Sequence, residues 1–362
     1  MLRRILAGLQ EKAFLGYLLW KTRPALIRQY LDRLDKKKTK KPIRPATTGD
    51  RKVRVAAVQV ELRLVEDVRE YVKIMYKMVE EAWQQGAQLV AFPEDITLPL
   101  IGMLPGINDL SSRGALNEAV ETLAGPGVKV ADIFNYLSPV TRQVYHTTFS
   151  ELARRFGAYL MGGSMVVGTA EGKVVNQAWL FNPEGEAVGK QEKAHLLPLE
   201  AQWGLSCGDS LRVYSTEVGN VAFPICMDAT YFETFRIVAF KGAEIVIIPS
   251  ANPEEYNFWK ALRGIWPRVQ ESQVYGISSC LVGSIFGYTL TGRSGIFAPI
   301  ALTPNRDGIL AQVEHPDKPG VVVADLDLEA LKEERLRHPR LDSINRELCA
   351  RYLPALYDYF SC

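Results

Sequence analysis

Apolar residues recur at helical spacing from the start of the chain. Leu2, Ile5, Leu6, Leu9, Ala13, Tyr17 and Trp20 fall on one stripe, with Arg3, Arg4, Lys12 and Lys21 among the charges between them. A second stripe follows from Pro24 through Leu34, and the two predict a pair of amphipathic helices. The run Lys36-Lys37-Lys38-Thr39-Lys40-Lys41, with Pro42 and Pro45 behind it, reads as a solvated linker. From Val53 to Val60 the pattern becomes a continuous apolar run, the mark of a buried strand. A helical stretch from Glu66 to Gln85, a turn at Gly86 and a strand from Gln88 to Phe92 follow, and that strand ends at Pro93-Glu94. Downstream the reading gives strands at 158–164, 174–181, 221–226, 244–249, 276–283 and 320–326, with helices at 231–241 and 259–275. Strands alternating with helices predict a layered α/β fold.

Composition narrows this picture. With 362 residues, 47% of them apolar, the chain buries one large core and carries appendages, which excludes disorder for most of its length. The net charge of +2 hides an asymmetry: residues 1–44 hold 13 Lys/Arg against 3 Asp/Glu, so that arm is +10 and the remainder −8. The arm reads either as a docking element, on the body or on a neighbouring subunit, or as an interfacial membrane anchor with its basic face near anionic headgroups. No apolar run approaches the roughly 18 to 20 residues that span a bilayer, and no small-x-small cleavage site follows the stretch Ala13 to Trp20. Five cysteines, scattered and odd in number, point to reduced thiols in a cytosolic compartment. The four histidines lack HExxH spacing and the cysteines lack Cys-x-x-Cys spacing, so no metal and no cofactor is expected. The short lysine run lacks interleaved aromatics, which argues against a nucleic-acid partner.

Ligands of open α/β folds gather at the carboxyl ends of strands, where Glu94 and Cys226 both fall. Cys226, in Phe223-Pro224-Ile225-Cys226-Met227-Asp228, precedes a predicted helix, where free backbone N–H groups and the helix dipole would favour a thiolate. Read alone, it is equally a small buried hydrophobe. A carboxylate closing the apolar strand Leu89-Val90-Ala91-Phe92 must be satisfied or shifted, and an upward shift suits a general base; Asp95 beside it is the same kind of group. Lys193, in Gly189-Lys190-Gln191-Glu192-Lys193-Ala194-His195-Leu196, has the weakest independent case, since charged residues in a loop are ordinary.

Three series occur in order: Phe92-Pro93-Glu94; Asn176-Gln177-Ala178-Trp179 through Asn182-Pro183-Glu184-Gly185 to Lys193-Ala194-His195-Leu196; and Cys226-Met227-Asp228 with Phe232-Glu233. Together with Pro249-Ser250-Ala251-Asn252 and Val323-Ala324-Asp325-Leu326-Asp327 they closely resemble the carbon–nitrogen hydrolase (nitrilase-like) family over residues 53–345. The resemblance implies a four-layer αββα sandwich that pairs into homodimers or larger assemblies. It divides the chain into an arm and linker (1–45), the hydrolase domain (46–345) and a tail (346–362). It also implies a catalytic triad of Glu94 as base, Lys193 as oxyanion stabiliser and Cys226 as nucleophile, with Glu200 as a second glutamate that orients them and the Met227 backbone N–H as an oxyanion donor. A Cys226–His195 dyad is the rival assignment, weakened because His195 accompanies the lysine motif in the family.

Met227-Asp228 looks more like the amidase branch than like the Trp-Glu pair of true nitrilases, so the expected substrate is a carboxylic amide. About 65 residues separate Glu94 from the next predicted strand and include the apolar series Leu98 to Pro105. Long loops of that kind are functional lids or disordered insertions, and its apolar content argues against disorder, which leaves a lid over a greasy substrate or a loop buried at a subunit interface. A basic arm and an apolar lid together suggest an active site next to a membrane, acting on a hydrophobic amide. The rivals are an N-acyltransferase using the same thioester and a catalytically silent scaffold.

Overall fold

The computed structural model describes residues 2–36, 51–111, 116, 120 and 127–359, with no side-chain description for 2–10, 110 and 359. The arm forms helices α1 (Leu2–Lys21) and α2 (Pro24–Asp35). The body begins with β1 (Lys52–Glu61), α3 (Val68–Gln84) and β2 (Leu89–Ala91). It continues through α4 (Val130–Phe156), β3 (Tyr159–Gly168), β4 (Val174–Phe181), β5 (Ala187–Glu192) and α5 (Pro198–Trp203). Then come β6 (Tyr214–Thr216), β7 (Gly219–Ala222), α6 (Phe232–Phe240), β8 (Ile245–Ser250), α7 (Phe258–Leu262) and α8 (Ile265–Ser272). β9 (Tyr275–Ile285), β10 (Tyr288–Leu290), β11 (Gly295–Phe297), β12 (Ile309–Gln312), β13 (Gly320–Asp327), α9 (Leu328–Arg337) and α10 (Arg346–Tyr359) complete it.

Hydrogen bonding runs without a break in the order β5-β4-β3-β2-β1-β9-β8-β7-β6. The path folds at β1. Its first eight residues pair antiparallel with β13 and its middle pairs parallel with β2, whereas Val60 and Glu61 pair with Leu281 and Val282 of β9. The result is two facing sheet layers, nearly closed on each other. Strand alternation assigns the two faces. Val53, Val55 and Ala57 join Ile245, Ile247 and Ile277 in the core between the sheets. Ala56, Val58 and Val60 turn outward into a second core with α1 to α4. On the far side Val246 and Ile248 pack against Phe235 and Val238 of α6 and Val269 of α8. Helix, sheet, sheet, helix is the predicted αββα order.

Four local readings need correction. The 65-residue connection is not a long loop: its second half is α4, with 14 buried residues packed across β3, and its apolar start is a 3-10 turn, Leu98–Met103, whose Pro99, Leu100 and Ile101 are buried in the outer core. The helix expected over 259–275 is split at Arg263-Gly264. The lysine motif follows a strand, β5, instead of lying in a free loop. The strand before Cys226 stops at Ala222, and Cys226 opens a 3-10 turn, Cys226–Thr230.

α2 lies on the body of its own chain. Ile27 and Leu31 are fully buried, Arg28 pairs with Glu151 of α4 at 2.8 Å, and Arg155 of α4 pairs with Asp32 and Asp35 at 2.7 and 2.5 Å. The end of α1 stays open to solvent, with Trp20 60% and Tyr17 49% exposed. Lys37 to Lys41 of the linker lie outside the described residues.

Candidate active site

The turn after β2 is clamped from below by a β-bulge in β3, the kind of irregularity that re-aims a chain beside a site. Gly163 there has φ +73°, and a Cβ on it would come within 2.1 Å of the Pro93 carbonyl oxygen, so only glycine lets the two backbones meet. Ser164 closes the clamp, donating its N–H to Pro93 O and accepting from the Asp95 N–H at its hydroxyl. Glu94 is thereby fixed at 2% exposure. Lys193 sits one residue past β5. Its N–H donates to Asn176 O of β4 (2.9 Å) and its carbonyl accepts from Gly208 (2.7 Å), which turns the side chain inward to 1% exposure. Glu200 stands in the first turn of α5 and accepts from the Leu197 N–H at 2.7 Å.

Cys226 is held at φ +46°, a conformation that costs a non-glycine residue on the order of 1–3 kcal/mol and concentrates at functional sites. The fully buried Asp228 secures it. That carboxylate accepts from the Ile225 N–H (2.8 Å) and from the His195 N–H (2.8 Å), tying the cysteine loop to the lysine loop. His195 Nδ1 also faces Asp228 at 2.8 Å, so this histidine belongs to the loop fastening and has no hydrogen bond with Cys226.

These elements converge. Lys193 Nζ donates to Glu94 Oε1 and to Glu200 Oε1, each at 2.8 Å. Glu94 Oε1 accepts a further bond from Asn176 Nδ2 (2.9 Å), and Oε2 accepts from the Ala251 N–H (2.9 Å). Cys226 Sγ lies 3.6 Å from Asn252 Oδ1. Burial pushes the Glu94 carboxyl above its ordinary range despite Lys193. Burial opposes the Lys193 charge, but Glu94, Cys226 and Glu200 together hold its ammonium well above the usual lysine value. Burial, with the Glu94 charge beside it, pushes the Cys226 thiol well above the usual thiol range. The sequence argument for a thiolate favoured by a helix dipole is therefore overturned: the element that follows is a five-residue 3-10 turn carrying the Asp228 carboxylate. Asp95 is likewise pushed up by burial and by Glu94, and its Oδ1 is buried without a partner among the described residues.

Of the residues singled out from sequence, Glu94, Lys193, Glu200 and Cys226 meet here, and Met227 lines the adjoining cavity; His195 faces elsewhere. The polar contacts of Asn176 and Asn252 were not read from sequence. Asn176 left a trace, the first of two adjacent carboxamides, with Gln177, inside the apolar strand Val174–Phe181, and it buries completely. A cavity of about 420 Å³ opens beside Cys226, walled by Leu197, Met227, Asn252, Ile265 and Trp266 and bordered by the chain from 252 to 264. The series 98–105, read from sequence as either a lid or a loop buried at a subunit interface, takes no part in that wall; Leu100, Ile101 and Leu104 line a separate small cleft against Leu18 and Phe134. Among the described residues no group of three or more His, Cys, Asp or Glu is placed to hold a metal ion, and no helix is long and apolar enough to cross a membrane.

The family model for carbon-nitrogen hydrolases matches residues 54–335. A probable hydrolase of Bacillus subtilis (strain 168), YhcX, is 30% identical over 291 residues, covering 78% of this chain and 51% of that protein, so the chain spans about half of that relative. A nitrilase of Pyrococcus abyssi is 29% identical over 288 residues, covering 78% of this chain and 93% of the relative. An omega-amidase of Xenopus laevis is 26% identical over 286 residues, covering 74% and 88%. Among solved structures, the amidase from Nesterenkonia sp. AN1 in complex with acrylamide superposes with a TM-score of 0.62 at 18% identity, covering 84% of this chain and 99% of that one. That match shows the shared α/β sandwich.

Proposed function

The chain belongs to the carbon–nitrogen hydrolase family, an enzyme family of hydrolases, and on that premise we propose that it hydrolyses a carboxylic amide through a thioester on Cys226. The observation that carries this reading is the buried network in which one lysine bridges two glutamates beside a strained cysteine at the wall of a cavity. Glu94 takes the thiol proton, and the thiolate forms only as it attacks the amide carbonyl carbon. Its raised affinity for protons suits that transfer. The tetrahedral oxyanion is held by the Lys193 ammonium and the Met227 N–H, charges and dipoles set in place before the reaction. The C–N bond breaks as Glu94 returns its proton to the leaving nitrogen, and ammonia or an amine departs. Water, deprotonated by Glu94, then cleaves the thioester and releases the acid. Glu200 keeps the Lys193 ammonium in place.

The Nesterenkonia amidase offers a parallel, since an acetamide moiety from fluoroacetamide adds covalently at the active-site cysteine of one of its variants. The test is intact-mass spectrometry with ammonia release over a panel of primary amides, with Cys226→Ala as control. Ammonia release that requires Cys226, with a trapped acyl adduct, supports hydrolysis. An adduct that yields product only when an amine is added assigns acyl transfer instead.

The arm extends the reading to a membrane surface. Exposed Trp20 and Tyr17 carry Arg23 and Lys21 over their rings, a pairing suited to an anionic interface. Retention of the protein in the unbound fraction during flotation with anionic liposomes would refute this part. Self-association is proposed through the apolar face of α6 and α10, where Phe240, Leu348, Tyr352 and Leu356 are each more than half exposed, and sedimentation at several concentrations tests it.

A further inference from the structure

The hydrogen bonds of Glu94 divide its two oxygens unequally. An ionised carboxylate offers about two lone pairs at each oxygen. Oε1 accepts from Lys193 Nζ (2.8 Å) and from Asn176 Nδ2 (2.9 Å), which fills both. Oε2 accepts from the Ala251 N–H (2.9 Å) and from no other backbone N–H or amide among the described residues, which leaves it one lone pair. That open position is on the cysteine's side. Ala251 adjoins Asn252, whose Oδ1 lies 3.6 Å from Cys226 Sγ, and the Ala251 N–H favours the Cys226 thiolate against the burial that opposes it.

Asn176 reaches Glu94 from behind. It is fully buried in β4, paired with Val166 of β3, and lines no part of the cavity, so it stands out of reach of a substrate. Its Oδ1 is buried without a partner among the described residues. An unbonded buried acceptor opposes folding, a cost that an apolar residue like the neighbouring Val174 and Val175 would avoid. The opposite rotation of the carboxamide would set Oδ1 against the Glu94 carboxylate, so the donor must face inward. The Asn176 carbonyl also accepts the Lys193 N–H at 2.9 Å, and one residue thus holds the base by its side chain and the lysine by its main chain. We propose that Asn176 is a positioning residue for the base: by filling the second lone pair of Oε1 it confines the travelling proton to Oε2, and by donating to the ionised carboxylate it favours the form that can accept that proton. As sulfur bonds the carbonyl carbon, the S–H proton passes to Oε2; as the C–N bond breaks, the same proton passes from Oε2 to the leaving nitrogen. This role rests on the amidase reading, in which Glu94 is the base.

Alkylation of Cys226 by iodoacetamide, followed by peptide mass spectrometry over a range of pH, reads the thiol-to-Glu94 transfer without amide turnover: sulfur bonds the methylene carbon, iodide leaves and the proton goes to Glu94. In the wild type the rate is expected to rise as pH passes through the Glu94 limb. In Asn176→Leu, close in size and unable to donate, that limb is expected to move up by about one pH unit, the effect of one hydrogen bond to a charged group. The rate below the limb then falls about 10-fold, and the deficit closes at alkaline pH. Asn176→Asp keeps the shape and sets a second carboxyl against Glu94, so its limb is expected to move up at least as far, which keeps the test open if the leucine variant does not fold. For any amide turned over, kcat/KM should show the same displaced limb, with KM little changed. A limb that stays in place in the folded variants, with the rate lowered equally at every pH, would overturn the proposal and make Asn176 purely structural. A wild-type profile that Glu94→Gln leaves unchanged would remove Glu94 as the base, and the role of Asn176 with it. A limb displaced in alkylation while no amide is hydrolysed would uphold Asn176 and sink the hydrolysis instead.

Discussion

Two charged networks in this molecule use the same chemistry at different depths. At the surface, Arg155 of α4 gathers Asp32, Asp35 and Glu151 and fastens α2 to the body. In the interior, Lys193 gathers Glu94 and Glu200. In the first, Arg155 and Glu151 are 11% and 8% exposed but Asp35 and Asp32 are open to water at 31% and 62%, while in the second Lys193 and Glu94 are 1% and 2% exposed. Water reaches the outer network through Asp32 and Asp35, so the two pairs that fasten α2 are screened and serve chiefly to register the helix. The inner network has no such screening. Its members depend on one another, and removing one leaves an uncompensated buried charge. Depth, and not the kind of residue, separates the two networks.

The largest effect is expected where the inner network meets the substrate. Cys226→Ala should lower kcat for any amide turned over by the wild type by at least about 10³-fold, because nothing else there supplies a nucleophile. Measured ammonia release that persists above this level would move the chemistry to another group.

Lys193→Met sharpens the contrast next. A loss of about 10²- to 10³-fold in kcat is expected from the missing oxyanion charge, together with roughly 3–5 kcal/mol of stability at neutral pH from the uncompensated carboxylates. The sign of its pH dependence follows. Without its counter-ion the Glu94 carboxyl, already raised by burial, rises further, so the folded variant binds more protons than the unfolded chain. The variant should be most stable below the ordinary glutamate range and lose stability as pH rises towards neutrality, which urea titrations at a series of pH values would detect. Unchanged stability across that range would mean that the inner pairs are as weak as the outer ones.

In the wild type, the base must be ionised to accept the thiol proton. The acid limb of kcat/KM is therefore expected above the ordinary glutamate value of about 4.3, with activity rising as pH passes through it. A limb at or below that value would remove Glu94 as the base. The smallest effect belongs to the surface: Arg155→Gln should cost about 1 kcal/mol or less after screening, shrink further in high salt and leave kcat unchanged. A salt-independent loss of several kcal/mol would erase the distinction between the two networks.

Legibility from sequence tracked local contrast. α1 and α2 were readable because their apolar stripes alternate with charge, and β1 because its apolar run is bounded by polar residues. α4 was missed for the opposite reason. Pro139 interrupts it, and the polar residues Ser138, Thr141, Thr148 and Glu151 fall on its buried side, which blurs the apolar stripe that makes a helix visible. Glu94 stood out as a carboxylate closing an apolar strand, whereas Lys193 and Glu200 were singled out through the family resemblance. The thiolate reading of Cys226 failed because local position suggests a dipole, and only the packed structure shows the burial and the neighbouring glutamate that oppose it.

By itself, then, the sequence determined that β1 is a buried strand, that α1 and α2 are amphipathic, and that Glu94 follows directly on an apolar strand. Family membership also follows from it. Tertiary structure alone decided that Glu94 meets a lysine 99 residues away and a backbone N–H 157 residues away. It decided as well that the apolar series 98–105 packs into the outer core, and that Arg293 lines the cavity beside Cys226. The physical reason is common to all three: local pattern encodes propensity and burial over a few residues, while charge, proton affinity and shape at a site are set by which distant segments the packed sheets bring together and how far they exclude water.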